Sequence, residues 1–219
     1  MGGSEQAKRE ELRDFLKDNI RLRVDFSRTA QQRGLPPPPL EKPFDPAARR
    51  IDLPRRDAWR GIGKVDLADA IERRESRRAF ERAAITLDEV AFLLWATQGV
   101  KKRFGDSCAL RTVPSAGARH ALETYLAVFA VEGLEPGVYR YLPLEHQLLF
   151  EFAESDARRK VSDAALGQTF AGEGAVCFIW TAIPSRMEWR YGDASYKVIA
   201  IDTGHVCQNL YLACEAIGA

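Results

Sequence analysis

Apolar residues recur at helical spacing near both ends of the chain. From Glu5 to Ile20 the sequence is highly charged, and its apolar positions fall on one stripe, made of Leu12, Phe15, Leu16 and Ile20. From Ala194 to Ile217 apolar residues keep the same spacing over a much wider face. Both patterns have the period of an α-helix. We predict an amphipathic N-terminal helix and a long C-terminal helix that is either central and buried or a contact between subunits.

Capping signals mark two helices between these ends. Asp66 can cap a helix over Leu67–Arg74, and the segment Thr86-Leu-Asp-Glu89 is a capping box for a second helix, which Gly99 stops. The segment Val100–Arg119 that follows is expected to be mostly loop. Further on, Ser155 can cap a helix that ends near Leu166.

Apolar runs in the second half of the chain predict strands. One run is long and β-branched enough for a central strand, two shorter runs flank Pro143 like a hairpin, and a near-continuous run is typical of a buried strand. The central strand is predicted at Leu122–Val131, the hairpin at Gly137–Tyr141 and Gln147–Phe152, and the buried strand at Ala175–Ala182.

The composition changes over the proline-rich arm, residues 34–57. Residues 36–39 are four successive prolines, which adopt extended polyproline II, and Pro43, Pro46 and Pro54 disfavour regular structure further along. Such a segment cannot build a core alone. It either lies across the surface of its own subunit or a partner, or is a flexible leader. We divide the chain into residues 1–64, a helix and this arm, and residues 65–219, a compact domain.

Composition excludes several functional classes. A chain of 219 residues with 46% hydrophobic and 29% charged residues suits one globular domain. The net charge of +1 gives no general attraction to nucleic acid or membrane, and no apolar run is long enough to span a bilayer. The first residues lack the apolar core of a secretory signal, and the four cysteines form no CxxC pair, so free thiols in the cytoplasm are expected.

Two short segments carry candidate chemistry. Arg74, Ser76 and Arg78 alternate where a helix passes into an extended segment, so two guanidiniums and a hydroxyl can face one phosphate. Alone, this cluster is more typical of a solvated basic surface than of a phosphate site. The loop Pro114-Ser115-Ala116-Gly117 has small residues that allow a planar ring to approach its backbone, although a plain turn would have the same composition.

Other candidates are weaker. The segment Arg186–Asp193 mixes aromatic and charged residues, which suits either a substrate lid or a solvent-facing loop anchored by Trp189. The three histidines, His120, His146 and His205, have no metal-ligand spacing with each other or with cysteine, so no metal is expected.

Together these segments resemble the nitroreductase superfamily of flavin mononucleotide (FMN) enzymes, and most closely its peptide azoline dehydrogenases. The resemblance covers roughly residues 67–219. The segments that carry it are Arg74-x-Ser76-x-Arg78-x-Phe80, Leu94–Gly99, Arg111–His120, Gly133–Tyr141 and Asp202–Tyr211.

The resemblance implies an α+β fold, with a mostly antiparallel central sheet flanked by helices, in an intertwined homodimer. It implies that Arg74, Ser76 and Arg78 hold the phosphate and ribityl chain of FMN. Pro114, Ser115, Ala116 and Gly117 would meet the flavin ring from the other subunit. It implies transfer of a hydride or electrons from NAD(P)H or an organic substrate, with a small molecule or a peptide as substrate and neither nucleic acid nor membrane as partner.

Two departures from the family pattern leave an alternative open. Arg190-Tyr191 stands where azoline dehydrogenases have a Lys-Tyr pair credited with proton removal, and arginine is a poor base, so Tyr191 remains the candidate catalytic acid or base. The family also continues beyond the equivalent of Ala219 with another strand, so the C-terminal part of its fold is expected to be absent here. The alternative is a non-catalytic or flavin-deficient member that acts as an interaction subunit.

Overall fold

An antiparallel sheet forms the centre of the fold. The computed structural model describes residues 2–219. The strands of this sheet are β1 Arg50–Asp52, β4 Leu122–Val128, β5 Gly137–Leu142, β6 Gln147–Ala153 and β7 Val176–Ala182. They lie in the order β1-β6-β5-β4-β7, and each neighbouring pair is antiparallel. The predicted α+β class and mostly antiparallel central sheet are therefore confirmed, as is the hairpin β5–β6.

Helices cover the sheet and extend beyond it. In chain order they are α1 Gly2–Leu16, α2 Ile20–Arg23, α3 Leu67–Arg73, α4 Leu87–Gln98, α5 Ala157–Ala164, α6 Pro184–Tyr191 and α7 Ser195–Ile217. Two caps are those that the sequence predicts: Asp66 accepts hydrogen bonds from the first turn of α3, and Thr86 and Glu89 form a reciprocal capping box on α4. The long C-terminal helix is also confirmed. No helix within residues 2–219 is both long and apolar enough to cross a bilayer.

Two apolar clusters hold these elements together. The first joins α4 to the sheet and includes Val90, Leu94, Leu126 and Tyr139, all fully buried. The second joins α6 and α7 to the start of β4 and includes Met187 and Val206. Because the second cluster also contains Val113 and Ala121, it fixes both ends of the segment in which residues 114–117 lie.

The proline-rich arm lies on its own subunit. Buried side chains from the rest of the chain bind its backbone, which replaces the hydrogen bonds that an extended segment cannot make internally. The four contacts are Arg186 to the carbonyl of Pro39 (2.9 Å), Arg111 to that of Leu40 (3.1 Å), Arg140 to that of Pro43 (3.3 Å), and the amide of Lys42 to Glu123 (3.1 Å). Of the two possibilities that the sequence leaves open for the arm, the structure therefore shows the attached one.

The structure corrects several local predictions. The arm contains β1 between Pro46 and Pro54, although we expected no regular structure there. The segment expected to be mostly loop after Gly99 contains a hairpin of β2 Val100–Phe104 and β3 Cys108–Arg111. The expected loop at Arg186–Asp193 is mainly α6, and the N-terminal helix breaks after Leu16.

The strand β7 also differs from its prediction. Its apolar sequence suggested a strand buried on both sides, but β7 is at the edge of the sheet and its residues are half-buried or exposed. Apolar composition indicates that a strand is to be covered, but not which element covers it. Helix α5 begins after Asp156, one position later than the expected cap at Ser155.

Candidate functional site

The loop Pro114–Gly117, called here the PSAG loop, ends in left-handed backbone. The φ angles of Gly117 and Ala118 are 58° and 52°. Glycine adopts such left-handed backbone without steric cost, which suits position 117. Pro114 and Gly117 are exposed, whereas Ser115 and Ala116 are half-buried. The loop therefore presents backbone and very small side chains at the surface.

The end of α6 lies directly over this loop. A Cβ atom built on Gly117 would lie 2.6 Å from Cδ of Arg190 and 2.9 Å from the hydroxyl oxygen of Tyr191. Such distances are too short for any side chain, so the close approach of Arg190 and Tyr191 requires glycine at position 117. The structure thus brings the candidate acid or base Tyr191 together with the PSAG loop within one chain.

Asp202 of α7 binds the backbone of the PSAG loop. Its Oδ1 accepts a hydrogen bond from the amide of Ala116 (3.4 Å), and the Ser115 hydroxyl also hydrogen-bonds to its carboxyl. Burial raises the pKa of Asp202, and these hydrogen bonds lower it in part. Its Oδ2 is buried without a hydrogen-bond partner among the described residues. The sequence marked Asp202 only as part of a family segment, and its buried carboxyl became apparent only in the structure.

Arg119 is a second cation beside the loop, and no pattern in the sequence marks it. Its Nε donates to the carbonyl of Gly117 (3.3 Å) and its Nη2 to that of Ser107 (2.8 Å), while its guanidinium lies 4.9 Å from the ring centroid of Trp189. Burial lowers the pKa of Arg119, and the positive charge of Arg190 acts in the same direction. The site therefore holds two neighbouring arginines, which favour a negatively charged group.

Gln31 and the first residues of the arm fix the end of α6. Nη1 of Arg190 donates to the side-chain oxygen of Gln31 (3.1 Å), and the amide of Gln31 donates to the carbonyl of Trp189 (2.8 Å). The indole nitrogen of Trp189 donates to the carbonyl of Leu35 (2.9 Å). Nothing in the sequence links residue 31 to residue 190, so this contact could be found only from the fold.

The predicted phosphate ligands follow α3. The Arg74 guanidinium lies 5.6 Å from the ring centroid of Tyr211, and that of Arg78 lies 5.5 Å from the ring centroid of Phe170. Neither arginine has a carboxylate within ion-pair distance among the described residues, whereas Arg77 between them binds Glu215 at 2.6 Å. Ser76 is exposed, and its carbonyl accepts a hydrogen bond from Arg78 (3.1 Å). Two of the three cations are therefore available for an anion.

One chain does not bring these two groups of residues into contact. The PSAG loop binds Asp202, whereas Arg74 lies beside Tyr211, nine positions further along α7. At the rise of an α-helix this is about 13 Å along the axis. Among the described residues, no group of three or more histidine, cysteine, aspartate or glutamate side chains is arranged to hold a metal ion.

The chain is similar to proteins of one family. A model of the Nitroreductase family matches residues 71–219. A protein of Methanocaldococcus jannaschii, provisionally named a nitroreductase, is 34% identical over 157 residues, which are 72% of this chain and 77% of that protein. The trifolitoxin-processing protein TfxB of Rhizobium leguminosarum bv. trifolii is 33% identical over 112 residues, which are 49% of this chain but only 30% of TfxB.

A solved structure shows the same fold. The crystal structure of a protein from Ralstonia eutropha JMP134, also provisionally named a nitroreductase, has a TM-score of 0.62 and 28% sequence identity, and the match covers 84% of this chain and 82% of that one. The family segments, the antiparallel sheet and these relatives agree, and the chain belongs to the nitroreductase family.

Proposed function

We propose that the protein is an FMN-dependent oxidoreductase that transfers a hydride or electrons between NAD(P)H or an organic substrate and an acceptor. The observation that carries this proposal is the PSAG loop, whose glycine allows Arg190 and Tyr191 to lie directly against it. In a chain of the nitroreductase family, this arrangement places a small-residue surface, two cations and a phenol side by side.

The residues present fit FMN. Arg74 and Arg78 offer guanidiniums without carboxylate partners among the described residues, and such groups form charge-assisted hydrogen bonds to phosphate. The PSAG loop has no large side chain that would keep a planar ring away from its backbone. The buried oxygen of Asp202 that lacks a partner among the described residues is a further acceptor beside this loop.

The side chains then have separate tasks. When bound, FMN supplies a ring that takes up and gives back a hydride or electrons. Arg74, Ser76 and Arg78 bind its phosphate and ribityl chain, and the PSAG loop supports its ring. Tyr191 can hold or donate a proton through its hydroxyl, whereas Arg190 remains protonated and acts only as a fixed positive charge.

We further propose that the protein is a homodimer and that the PSAG loop acts on the flavin held by the partner. The separation of the two groups along α7 supports a site shared between subunits. Helix α7 also leaves large apolar side chains exposed, namely Tyr196, Ile201 and Tyr211. Sedimentation at low micromolar concentration should show a dimer, and a stable monomer that retains flavin would exclude the shared site.

For the substrate, we propose a small organic molecule or a peptide. The name of TfxB, which describes processing of trifolitoxin, supports the peptide class. Azoline oxidation should be weak, because the guanidinium of Arg190 cannot take up a proton near neutral pH.

Arg190 also favours a second candidate function, because a chain without this base can act as a flavin-deficient subunit that binds a partner and catalyses nothing. The colour of the purified protein separates the two, since a flavoprotein is yellow.

The cofactor ligands can be tested by flavin retention. Losing one charge-assisted contact should weaken FMN binding by about 1.5–3 kcal/mol, or about ten- to a hundredfold. We expect Arg74→Ala and Arg78→Ala to lose flavin during gel filtration, whereas Arg13→Ala on α1, an exposed arginine far along the chain, should retain it. Full retention in both site variants would show that the phosphate lies elsewhere.

A further inference from the structure

A cleft of about 730 Å³ lies between the arm, α4, β2 and the turn that joins β5 to β6. Its walls include Arg55 and Arg56 from the arm, Trp95 from α4, and the first four residues of β2. None of the candidate site residues lines it. The cleft is therefore a separate feature, which the proposed oxidoreductase chemistry does not use.

The cleft concentrates positive charge. Its lining contains five cations, Arg55, Arg56, Lys101, Lys102 and Arg103, and one carboxylate, Asp57, in a chain whose net charge is +1. Arg103 is neutralised by Asp106. The other four cations have no carboxylate within ion-pair distance among the described residues. Several positive charges around one concave surface raise the local concentration of anions.

The strand β2 adds a second binding element. In its two-stranded sheet β2 pairs with β3, and its other edge is paired with no strand among the described residues. Residues 100–103 of this strand all line the cleft. An unpaired strand edge offers backbone donors and acceptors to an extended peptide, and β2 is regular over Lys102–Phe104, beyond an irregularity between Val100 and Lys102.

Hydrogen bonds hold two side chains that line the cleft, Tyr141 and His146, in place. Nε2 of His146 lies 3.0 Å from the carbonyl of Pro54, which can only accept, so Nε2 carries the proton and Nδ1 accepts from the hydroxyl of Tyr141 (2.8 Å). The guanidinium of Arg56 lies 5.3 Å from the ring centroid of Trp95. This part of the cleft therefore needs little rearrangement when a ligand binds, which reduces the entropic cost of binding.

We propose that this cleft binds an extended acidic segment of a partner polypeptide, which pairs with the free edge of β2 while its carboxylates face the four unpaired cations. Side chains alternate along a strand, so acidic residues at every second position would all face the same wall. The proposal does not depend on FMN or on the reaction, and it holds for a flavin-free protein as well.

The test uses a short fluorescein-labelled peptide of alternating glutamate and valine, with binding followed by fluorescence anisotropy at low salt. The variant Arg55→Glu/Lys101→Glu replaces two of the unpaired positive charges by negative ones and should weaken binding by roughly tenfold or more. The matched control Lys8→Glu/Arg13→Glu changes the same residue types on α1 and should bind like the unmodified protein. The uncharged variant Arg55→Gln/Lys101→Gln should show a smaller loss in the same direction. Circular dichroism checks that each variant is folded.

Backbone pairing has its own test. The same peptide with N-methylated valines keeps its charge but loses half of its amide donors, and we expect its binding to fall severalfold. Equal binding of both peptides, or equal binding by Arg55→Glu/Lys101→Glu and the unmodified protein, would overturn the proposal. So would absence of binding, since lysines on a strand edge also serve to prevent pairing. Tighter binding of a single-stranded oligonucleotide than of the peptide would replace the peptide by a nucleic acid.

Discussion

Glu41 in the proline-rich arm should make the stability of the fold depend on pH. Its side chain is buried, and one carboxyl oxygen accepts a hydrogen bond from the amide of Leu144 (3.3 Å). Burial raises the pKa of Glu41 from 4.5 to about 7, with smaller contributions in the same direction from Glu145 and Glu123. The amide of Leu144 and the positive charge of Arg111 oppose this change without cancelling it.

The direction of the pH dependence follows from the number of protons that the folded and the unfolded chain bind. Below pH 4.5 the carboxyl is protonated in both the folded and the unfolded chain, so its contribution to stability is fully present. Between 4.5 and about 7 only the folded chain keeps the proton, so the free energy of unfolding falls as the pH rises. The difference between the two pKa values corresponds to about 3 kcal/mol, at 1.36 kcal/mol for each pKa unit.

The substitution Glu41→Gln removes this titration and retains most of the shape of the side chain. We expect the variant to unfold at a higher urea concentration than the unmodified protein at about pH 8, and to lose that advantage at about pH 4.5. Taking the difference between the two proteins at each pH cancels the other titrating groups. Tryptophan fluorescence follows the unfolding transition.

An exposed glutamate of α1 provides the matched control. Glu10→Gln changes an exposed glutamate of α1 and should give a difference in unfolding free energy that does not vary with pH. If the difference for Glu41→Gln also stays constant within about 0.5 kcal/mol, the carboxyl is already ionised in the folded chain, and the reasoning from burial is refuted.

Three further predictions concern the arm and the PSAG loop. Glu123→Gln removes the carboxylate that binds buried Arg186 at 2.5 Å, and should lower the unfolding free energy in urea by about 3–5 kcal/mol. Gly117→Ala should destabilise the fold more than Gly34→Ala. Both glycines have positive φ, but of the two only position 117 has neighbouring atoms within 4 Å of the added Cβ. The thermal unfolding midpoints of the two variants test this. Arg190→Lys should increase azoline oxidation, measured by the mass of a peptide substrate, because the neighbouring positive charge of Arg119 disfavours a charged lysine at this exposed position and so makes it a better base.

Local signals predicted the fold well where a single segment determines its own structure. The capping box at Thr86 and the apolar period of α7 depend only on neighbouring residues, and both elements form where expected. The hairpin β2–β3 was missed because β2 is mostly charged and exposed, so it lacks the alternation of a half-buried strand. Helix α6 was missed because its mixed aromatic and charged sequence has no long apolar stripe, and its stability comes from buried Met187 and Arg186.

The candidate site was predicted only in part. The sequence selected the PSAG loop as a candidate by its small residues, and Tyr191 because Arg190-Tyr191 stands where the family resemblance places a Lys-Tyr pair. It did not identify Gln31 or Arg119, whose roles depend on contacts made across the fold. The basic cleft was missed for the same reason: Arg55 and Lys101 are far apart in the chain, so no basic stripe is visible in the sequence.

The contacts that hold the proline-rich arm also set the order in which the chain can fold during synthesis. Arg186, which binds the carbonyl of Pro39, follows it by 147 positions. At ribosomal speeds of about 5–20 residues per second, the arm waits about 7 to 30 s before this partner has been made. Polyproline II suits such a delay, because it needs no internal hydrogen bonds and has little tendency to enter a wrong helix or sheet. The prolines thus keep the arm ready for partners that are made later.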